Sequence, residues 1–300
     1  MSFDVTALSA IKQEYDSTLM TPFILDNHFL NPKNNFCRIQ PDIKGTMSVN
    51  ILNSSITVAL GHCGFTPSGT DTLSQVDITV VEKSVSKEFC IPELNTYWAS
   101  NFISTGSYEN SLGGSVEGQF FEENAAQISK AVENQAVSDM LTYINTNSGS
   151  SNVLIASAMT IGNASVVVDS FLDEMITSAP ELTELEDVYM FMSISNFHAL
   201  KRSYANLNNY HIEPVNGVVN TLQINGSNVT AVGLAGITTN EMVLTSGANI
   251  IFGCDLMGEE TQMDIWYSKD DRIVKMYSAF KQGLSIVFPQ FCVYGQVPSA

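Results

Sequence analysis

"TMSVNILNSSITVALGHCGFTPSGTDTLSQVDITVVEKSVSKEF", residues 46–89, holds two apolar–polar alternations around a stretch rich in Gly, Ser and Thr. On the outgoing side Met47, Val49 and Ile51 alternate with polar residues. On the return side Val76 and Ile78 begin the same pattern, which continues at residue 80. Alternation with a period of two is typical of a half-buried β-strand. The stretch therefore predicts a long β-hairpin whose tip is residues 62–73.

The outgoing arm changes the side on which its apolar residues fall. After the polar residues 53–55, the apolar residues Ile56, Val58 and Leu60 resume on the opposite parity. A β-bulge or a change of exposed face produces such a switch. A two-stranded ribbon alone is marginally stable in water, so a hairpin of this length predicts another chain for it to lie against.

Residues 1–45 predict an extended arm, with a short helix near residues 5–15. Pro22, Pro32 and Pro41 follow amid Asn and Asp, and each proline disfavours a helix around it. The arm also carries more large apolar residues than a free tail would: Phe23, Ile24, Phe29, Leu30 and Phe36. We therefore expect the arm to lie on a surface, either its own or that of a neighbour.

The longest helical pattern runs from about Ser115 to Ile144. Apolar residues recur there at spacings of three and four, at Phe121, Ala125, Ile128, Val132, Ala136, Met140 and Ile144. A helix of this length would span about 45 Å. Such a helix is suited to be the backbone of a flat domain, although an ordinary core helix would show the same spacing.

The remaining chain predicts a mixed α/β region followed by strands. A helix over residues 165–179 is ended by Pro180, a strand covers 188–193, and a helix follows over 196–207. Seven further strands are predicted over 218–222, 242–245, 249–252, 263–267, 273–280, 284–288 and 291–294. No internal repeat or low-complexity segment is present.

The charge of the chain is strongly negative and unevenly distributed. The net charge is -18, with 31 acidic and 13 basic residues. Residues 109–187 contain one base, Lys130, among many acids, and no Lys or Arg occurs between Lys130 and Lys201. Such a chain lacks the basic footprint of a nucleic-acid-binding protein. The acidic stretch is interpreted as a solvated face, or as a surface that repels packed nucleic acid.

The cysteines and the first residues bear on the cellular compartment. The five cysteines are odd in number and include no C-x-x-C pair, which favours free thiols in a reducing compartment. The first residues, "MSFDVTALSAIKQEYD", are polar and acidic and do not resemble a signal peptide. No apolar run approaches the roughly 20 residues needed to cross a bilayer.

The sequence contains almost no candidate for a catalytic site. The chain has no phosphate-binding loop, dinucleotide fingerprint, nucleophile elbow or zinc-protease motif. His62 and Cys63 are adjacent, and adjacent strand residues point to opposite faces, so they form no productive pair within a strand. The acidic residues of "GCDLMGEE", Asp255, Glu259 and Glu260, would suit acid–base work or a hard cation, although a solvated turn is the simpler interpretation. No cofactor is predicted.

Three stretches carry a family resemblance: "GFTPSGTDTLSQVDITVVEKSVSKEFCIPELNTYW" (64–98), "ITTNEMVLTSGANIIFGCDLMGEETQMDIWYS" (237–268) and "FKQGLSIVFPQ" (280–290). Together they resemble segments of the major capsid proteins of tailed phages that infect Bacteroidetes-type bacteria. The features in common are a "C-P-x-x-L" type turn before an aromatic pair, an "N-l-i-f-G-t-D" strand before an acidic turn, and a closing "f-k-x-G-x-x-v" strand pair. The resemblance covers residues 60–100 and 235–295.

The resemblance implies an α+β chain with the Hong Kong 97-type capsid fold. Its parts would be an N-terminal arm (1–45), an extended β-hairpin or E-loop (46–89), and a peripheral domain with a long spine helix (90–150). A mixed α/β axial domain (151–262) and the closing strands of the peripheral domain (263–300) would follow. The order of elements worked out from the residues alone is the same.

The implied function is that of a virion protein that self-assembles into hexamers and pentamers of an icosahedral shell around double-stranded DNA. The E-loop would lie across the neighbouring subunit. Its tip residues would make the contact: Gly64, Phe65, Thr66, Pro67, Ser68, Gly69 and Asp71. The protein would not be an enzyme, would enclose DNA without sequence-specific binding and would have no membrane partner. It would assemble in the host cytoplasm.

Two departures from the family bear on assembly. Some members crosslink their shells through an E-loop lysine, but no Lys occurs between Lys44 and Lys83, so no such isopeptide bond is expected. Some members carry a long cleaved scaffolding segment, and an arm of 45 residues is too short for that role. A separate scaffolding protein is therefore predicted, along with a portal and possible minor or decoration proteins.

Three alternatives stay open. An encapsulin-like compartment would have the same fold and would enclose cargo enzymes. A divalent-metal-dependent enzyme would use the acidic loop at 255–260. A secreted adhesin is disfavoured, because the chain shows no signal peptide and no paired cysteines.

Overall fold

The computed structural model describes residues 28–55, 70–90, 116–146, 151–154, 159–208, 218–224, 226–255, 264–268, 270–271 and 273–296. Its helices are α1 (Val116–Thr146), α2 (Ala164–Ser178) and α3 (Ile194–Asn208). The first strands are β1 (Arg38–Gln40), β2 (Thr46–Ser55), β3 (Thr70–Thr79), β4 (Val81–Cys90), β5 (Ser151–Leu154) and β6 (Val188–Ser193). The later strands are β7 (Thr221–Gln223), β8 (Val229–Leu234), β9 (Glu241–Ser246), β10 (Ile250–Cys254), β11 (Asp264–Ser268), β12 (Ile273–Ile286) and β13 (Val293–Gln296).

Within the described residues the strands form a five-stranded sheet, a six-stranded sheet and a two-stranded ribbon. The five-stranded sheet has the order β1-β10-β12-β11, and β4 also pairs with β12. The six-stranded sheet has the order β5-β13-β9-β6-β8-β7, and the ribbon consists of β2 and β3. Helices packed on sheets that mix parallel and antiparallel pairs confirm the predicted α+β class.

Helix α1 confirms the predicted long helix and joins the two larger sheets. Its 31 residues extend about 46 Å at 1.5 Å per residue. The predicted apolar stripe is buried at Ile128, Val132, Ala136, Met140 and Ile144. The side chains of Phe121 and Ala125 lie outside the described residues. Ala136 packs with Phe252 and Cys254 of β10, and Met140 packs with Phe191 of β6, so α1 contributes to the cores of both sheets.

The six-stranded sheet is covered on both faces. Met190 and Met192 face α2 and α3 with Phe171 and Leu200, while Phe191 faces α1. This division follows from the alternation of side chains along a strand. The predictions of α2, β6 and α3 are confirmed, and Pro180 follows the end of α2 as expected because it removes a backbone donor.

Strand β8 was not predicted from the sequence. It pairs with β6 in parallel and with β7 in antiparallel fashion, and all six of its residues are buried. A strand buried on both faces reads as a continuous apolar run without alternation. "VTAVGL" therefore lacks the period-two signal that revealed the other strands. Asn220, with a φ of 57°, directly precedes β7, and the strand predicted over 218–222 starts only at Thr221.

The prediction of two strands over 273–280 and 284–288 is wrong, because β12 is one strand of 14 residues. It pairs with β4 and β11 along its first part and with β10 along its last part. Gly283 lies opposite Gly253 in this ladder and does not form a turn. The strands predicted near 242–245, 249–252, 263–267 and 291–294 are confirmed as β9, β10, β11 and β13, with ends shifted by one or two residues.

The predicted hairpin is present but shorter than residues 46–89. Strands β2 and β3 pair in a continuous antiparallel register from Thr46 opposite Thr79 to Ser55 opposite Thr70. After Val80 the chain leaves the ribbon, and residues 81–90 pair with β12 instead. The part of the outgoing arm where the parity changes, residues 56–60, lies outside the described residues.

The described part of the N-terminal arm lies on its own chain. Phe29 and Phe36 are buried in the core shared by α1 and the six-stranded sheet, and β1 pairs with β10 in parallel. The short helix predicted near residues 5–15 lies outside the described residues. For residues 28–45, the surface expected for the arm is therefore supplied by the same molecule.

Candidate functional site

The ribbon has two faces of different chemistry, because its side chains alternate along each strand. We call the face with Val49, Ile51, Val76 and Ile78 the inner face. It packs in one buried cluster with Ile43, Ile251 and Val287. Ile78 is fully buried, a burial that contributes about 2–3 kcal/mol to the free energy of folding. The inner face therefore fixes the base of the ribbon on the five-stranded sheet.

The outer face of the ribbon, at residues 46, 48, 50 and 52 of β2 and 73, 75, 77 and 79 of β3, begins as a polar ladder. Thr46 Oγ1 lies 3.3 Å from Thr79 Oγ1, and Ser48 Oγ donates to Asp77 Oδ1 at 2.6 Å. Gln75 Nε2 donates to Asn50 Oδ1 at 2.7 Å. Pairs of this kind satisfy side chains that face water, so nothing in this part of the ladder requires a partner.

The next pair on the outer face breaks this pattern. Leu52 lies directly opposite Leu73, and their side chains are 63% and 81% exposed. A lone exposed leucine is ordinary, but two leucines stacked across a protruding ribbon form a compact apolar patch. The sequence signal was available and was missed: Leu52 and Leu73 each fall on the polar parity of their strand.

The predicted tip residues fall mostly beyond what the structure describes. Residues 64–69, namely Gly64, Phe65, Thr66, Pro67, Ser68 and Gly69, lie outside the described residues. Asp71 lies in β3, exposed and opposite Ser54. Of the predicted contact residues, Asp71 is therefore placed on the ribbon, one residue after the start of β3 at Thr70.

A second exposed apolar patch lies on the five-stranded sheet. Trp266 of β11 pairs across the strands with Lys275 of β12, and Asp264 pairs with Tyr277. Trp266 and Tyr277 are 45% and 36% exposed, whereas their neighbour Met276 is buried on the opposite face. Trp266 is thus no core residue, and of the two roles predicted for it, core or interface anchor, the interface role is the one that its exposure favours.

The arm is attached to α1 by one buried carboxylate. Oε1 of Glu133, whose side chain is 2% exposed, accepts the backbone N–H of His28 at 2.6 Å and also that of Phe29. Its Oε2 accepts Lys130 Nζ at 2.5 Å. Three donors compensate the burial of this charge, as a buried carboxylate requires.

The thiols of Cys37 and Cys292 are poorly suited to nucleophilic chemistry. Burial raises the pKa of Cys292 to about 12. Burial, reinforced by the Glu133 carboxylate, raises the pKa of Cys37 to about 12 as well. Because the thiolate is the reactive form, both groups stay protonated near neutral pH. Cys63 lies outside the described residues.

Of the acidic loop that was considered as a metal site, the structure describes Asp255. Asp255 Oδ2 lies 3.6 Å from Lys281 Nζ, while Glu259 and Glu260 lie outside the described residues. Among the described residues no group of three or more His, Cys, Asp or Glu side chains is placed to hold a metal ion. In the same part of the chain, no helix is both long and apolar enough to span a membrane.

The sequence matches no family model and no curated protein. Solved structures match almost the whole chain. The capsid structure of the cyanophage P-SCSP1u covers 97% of this chain and 94% of its own at a TM-score of 0.60 and 9% identity. The mature capsid of bacteriophage PhiM1 covers 96% and 92% at 0.58 and 9% identity.

A third similar structure is the procapsid of satellite phage P4 with its size determination (Sid) protein. It covers 97% of this chain and 94% of its own at a TM-score of 0.56 and 11% identity. Sequence identities this low support a likeness of fold and nothing more. Here the likeness extends over almost the whole chain and includes both its helices and its sheets. The chain therefore has the Hong Kong 97-type fold of phage capsid proteins.

Proposed function

We propose that this protein is the major capsid protein of a tailed bacteriophage, which assembles into hexamers and pentamers of an icosahedral shell around double-stranded DNA. The observation that carries the proposal is the likeness of fold to phage capsid structures over 97% of the chain. The protein acts by assembly and carries out no bond chemistry. Its place is the virion, after assembly in the host cytoplasm.

The protruding ribbon supports this role. Its inner face is anchored in the chain's own core, and its outer face ends in exposed leucines before the predicted tip. The tip, residues 64–69 with Asp71, reaches the neighbouring subunit in the proposed shell. Such contacts are heterologous, so copies close into rings, and many modest contacts per subunit stabilise the whole.

The remaining parts of the chain take the roles that the resemblance implies. The peripheral domain comprises residues 90–150, with α1, and the closing strands 263–300. The axial domain comprises residues 151–262, with α2 and α3. The acidic stretch 109–187 faces the packed DNA without binding it. Its described exposed acids include Asp169, Asp173, Glu181 and Glu184.

A separate scaffolding protein is proposed as an assembly partner, together with a portal and minor or decoration proteins. The satellite phage P4 procapsid, which has a similar fold, contains the Sid protein as an additional component.

Negative-stain electron microscopy tests the proposal. The full chain is expressed alone and together with the products of its neighbouring genes, and the purified material is imaged. We expect rings, sheets or closed shells. A persistent monomer of 32.7 kDa under both conditions would refute the proposal. Particles that contain cargo enzymes in place of DNA would favour an encapsulin-like compartment.

A further inference from the structure

Helix α3 differs from the rest of the chain in its charge. The protein has a net charge of -18, yet α3, "ISNFHALKRSYANLN", contains no Asp or Glu. Lys201 and Arg202 are the only Lys or Arg residues from 131 to 268, and His198 lies one turn before them. A helix with two positive charges in a strongly acidic protein indicates a surface that meets an anion.

The basic residues belong to an exposed row on one side of α3. The exposed polar side chains recur at spacings of three and four, at Ser195, His198, Arg202 and Asn206. Lys201 is half-buried beside this row. A hydroxyl, an imidazole, an amide, an ammonium and a guanidinium group can all donate hydrogen bonds. The row therefore presents donors along its whole length and no carboxylate.

The described part of the molecule does not neutralise this row. Neither Lys201 nor Arg202 forms an ion pair with another described residue. Burial raises the pKa of Tyr204, and the nearby Asp169 carboxylate of α2 reinforces this effect, so Tyr204 marks the side of α3 that faces α2. Arg202 lies two positions away, which is about 200° around the helix, so it points away from α2. A helix is about 10 Å thick, comparable to the Debye length of about 8 Å, so the acids of α2 are screened from the row.

The composition of the row favours phosphate over a protein partner. The exposed large apolar side chains include Val166 and Ile176 of α2 but none among the described side chains of α3. The centre of a protein interface is depleted in charge and rich in apolar anchors, whereas phosphates are bound by Arg, Lys, Ser and Asn. A helix of 15 residues is about 22 Å long, and one DNA strand presents about six phosphates over that length.

We propose that the exposed face of α3, with His198, Lys201 and Arg202, binds the phosphate backbone of the enclosed DNA without reading its sequence. The inference rests on the proposed shell function and names the surface that contacts the DNA. Helices α2 and α3 cover the same face of the six-stranded sheet, so one side of the domain carries both an acidic helix and a basic one. Two or three phosphate contacts per copy give a weak interaction, which the many copies of a shell multiply.

Binding of the unassembled full chain to a fluorescent DNA duplex of about 20 base pairs, followed by anisotropy at about 50 and about 200 mM salt, tests this contact. The test variant combines Lys201→Gln with Arg202→Gln. The matched control combines Lys275→Gln with Lys281→Gln, which removes the same two charges from lysines that already pair with carboxylates of the same molecule. Circular dichroism checks that both variants are folded.

We expect the α3 variant to lose at least about ten-fold in affinity at the lower salt concentration, and its dependence of log K on log salt to fall by about two. The control should change affinity by less than about two-fold. In DNA-filled particles treated with formaldehyde, peptide mapping should find Lys201 linked to DNA and Lys275 not linked.

Three outcomes overturn the inference. If the unsubstituted chain forms shells but both variants lose affinity equally, or Lys201 is not linked in filled particles, the DNA contact is absent while the capsid function stands. If the α3 variant keeps its DNA affinity but no longer forms shells, the row contacts acids of a second copy. If the unsubstituted chain forms no shells even with the products of its neighbouring genes, the proposed function fails and this contact fails with it.

Discussion

Glu133 in the middle of α1 accepts the backbone N–H of His28 at 2.6 Å, across 105 residues of sequence. The same oxygen also accepts the N–H of Phe29, and the side chain of Phe29 is fully buried between α1 and Phe191. One carboxylate thus holds the arm at the point where it enters the core. This contact leads to the first prediction.

Replacing Glu133→Ala should lower the free energy of unfolding by about 3 kcal/mol. The substitution removes the carboxylate that accepts two backbone N–H groups and the ion pair with Lys130. Glu133→Gln keeps an acceptor oxygen and should cost less. Urea unfolding followed by circular dichroism measures the change, with the exposed Glu181→Ala as the control. A loss below about 1 kcal/mol for Glu133→Ala would show that the arm is held by its apolar residues alone.

The stability of the fold should fall in mild acid because of His28. Burial lowers the pKa of His28 below 6.5, against the opposing influence of Glu133 and with a smaller contribution from Lys130. The unfolded chain then binds more protons than the native chain as the pH falls below about 6.5, so this contribution to stability is complete above that pH and declines below it.

The measurement compares unfolding at about pH 7.5 and about pH 5.5. His28→Gln should lose less stability over this range than the unsubstituted chain. Equal losses in the two proteins would mean that His28 does not titrate differently in the native state.

The two faces of β3 should respond differently to the same kind of truncation. Ile78→Ala removes a fully buried side chain and should cost about 2–5 kcal/mol. Leu73→Ala removes a side chain that is 81% exposed and should change the stability of the monomer by about 0.5 kcal/mol or less. Thermal unfolding of the unassembled protein checks both values. A large loss for Leu73→Ala would show that the outer face already has a partner within the chain.

Gly283→Ala should separate the ribbon from its sheet. The added methyl group would lie 2.1 Å from the backbone oxygen of Thr79, and a backbone atom cannot move aside as a flexible side chain can. We expect a loss of about 1–3 kcal/mol or more in the free energy of unfolding. Gly45→Ala is the matched control, because a Cβ atom there would meet nothing within 4 Å. Equal stability of the two variants would contradict the observed packing of the ribbon.

Thiol labelling should distinguish the native from the unfolded chain at Cys292. The side chain is fully buried and its pKa is raised to about 12, so it should react with iodoacetamide only after unfolding. Peptide mapping by mass spectrometry gives the extent of labelling at this residue. Rapid labelling under native conditions would show that β13 opens locally.

Local patterns predicted much of this fold because they record which side of an element is buried. The spacing of Ile128, Val132 and Ala136 placed α1 within two residues of its observed ends, and the alternation of Val49, Ile51 and Ile78 placed the ribbon. In these elements burial on one side alone leaves a period in the sequence, so sequence alone determined where the long helix, the ribbon and most strands lie.

Only the tertiary structure decided which elements meet. β8 is buried on both sides and leaves no period, β12 passes through Gly283 without a turn, and β4 leaves the ribbon to pair with β12. The contact of Glu133 with His28 and the exposure of Leu52, Leu73 and Trp266 likewise depend on which distant segments pack together. A sequence pattern records the environment of a residue but not the identity of its distant neighbours, and here those neighbours decide which side of α3 exposes Arg202.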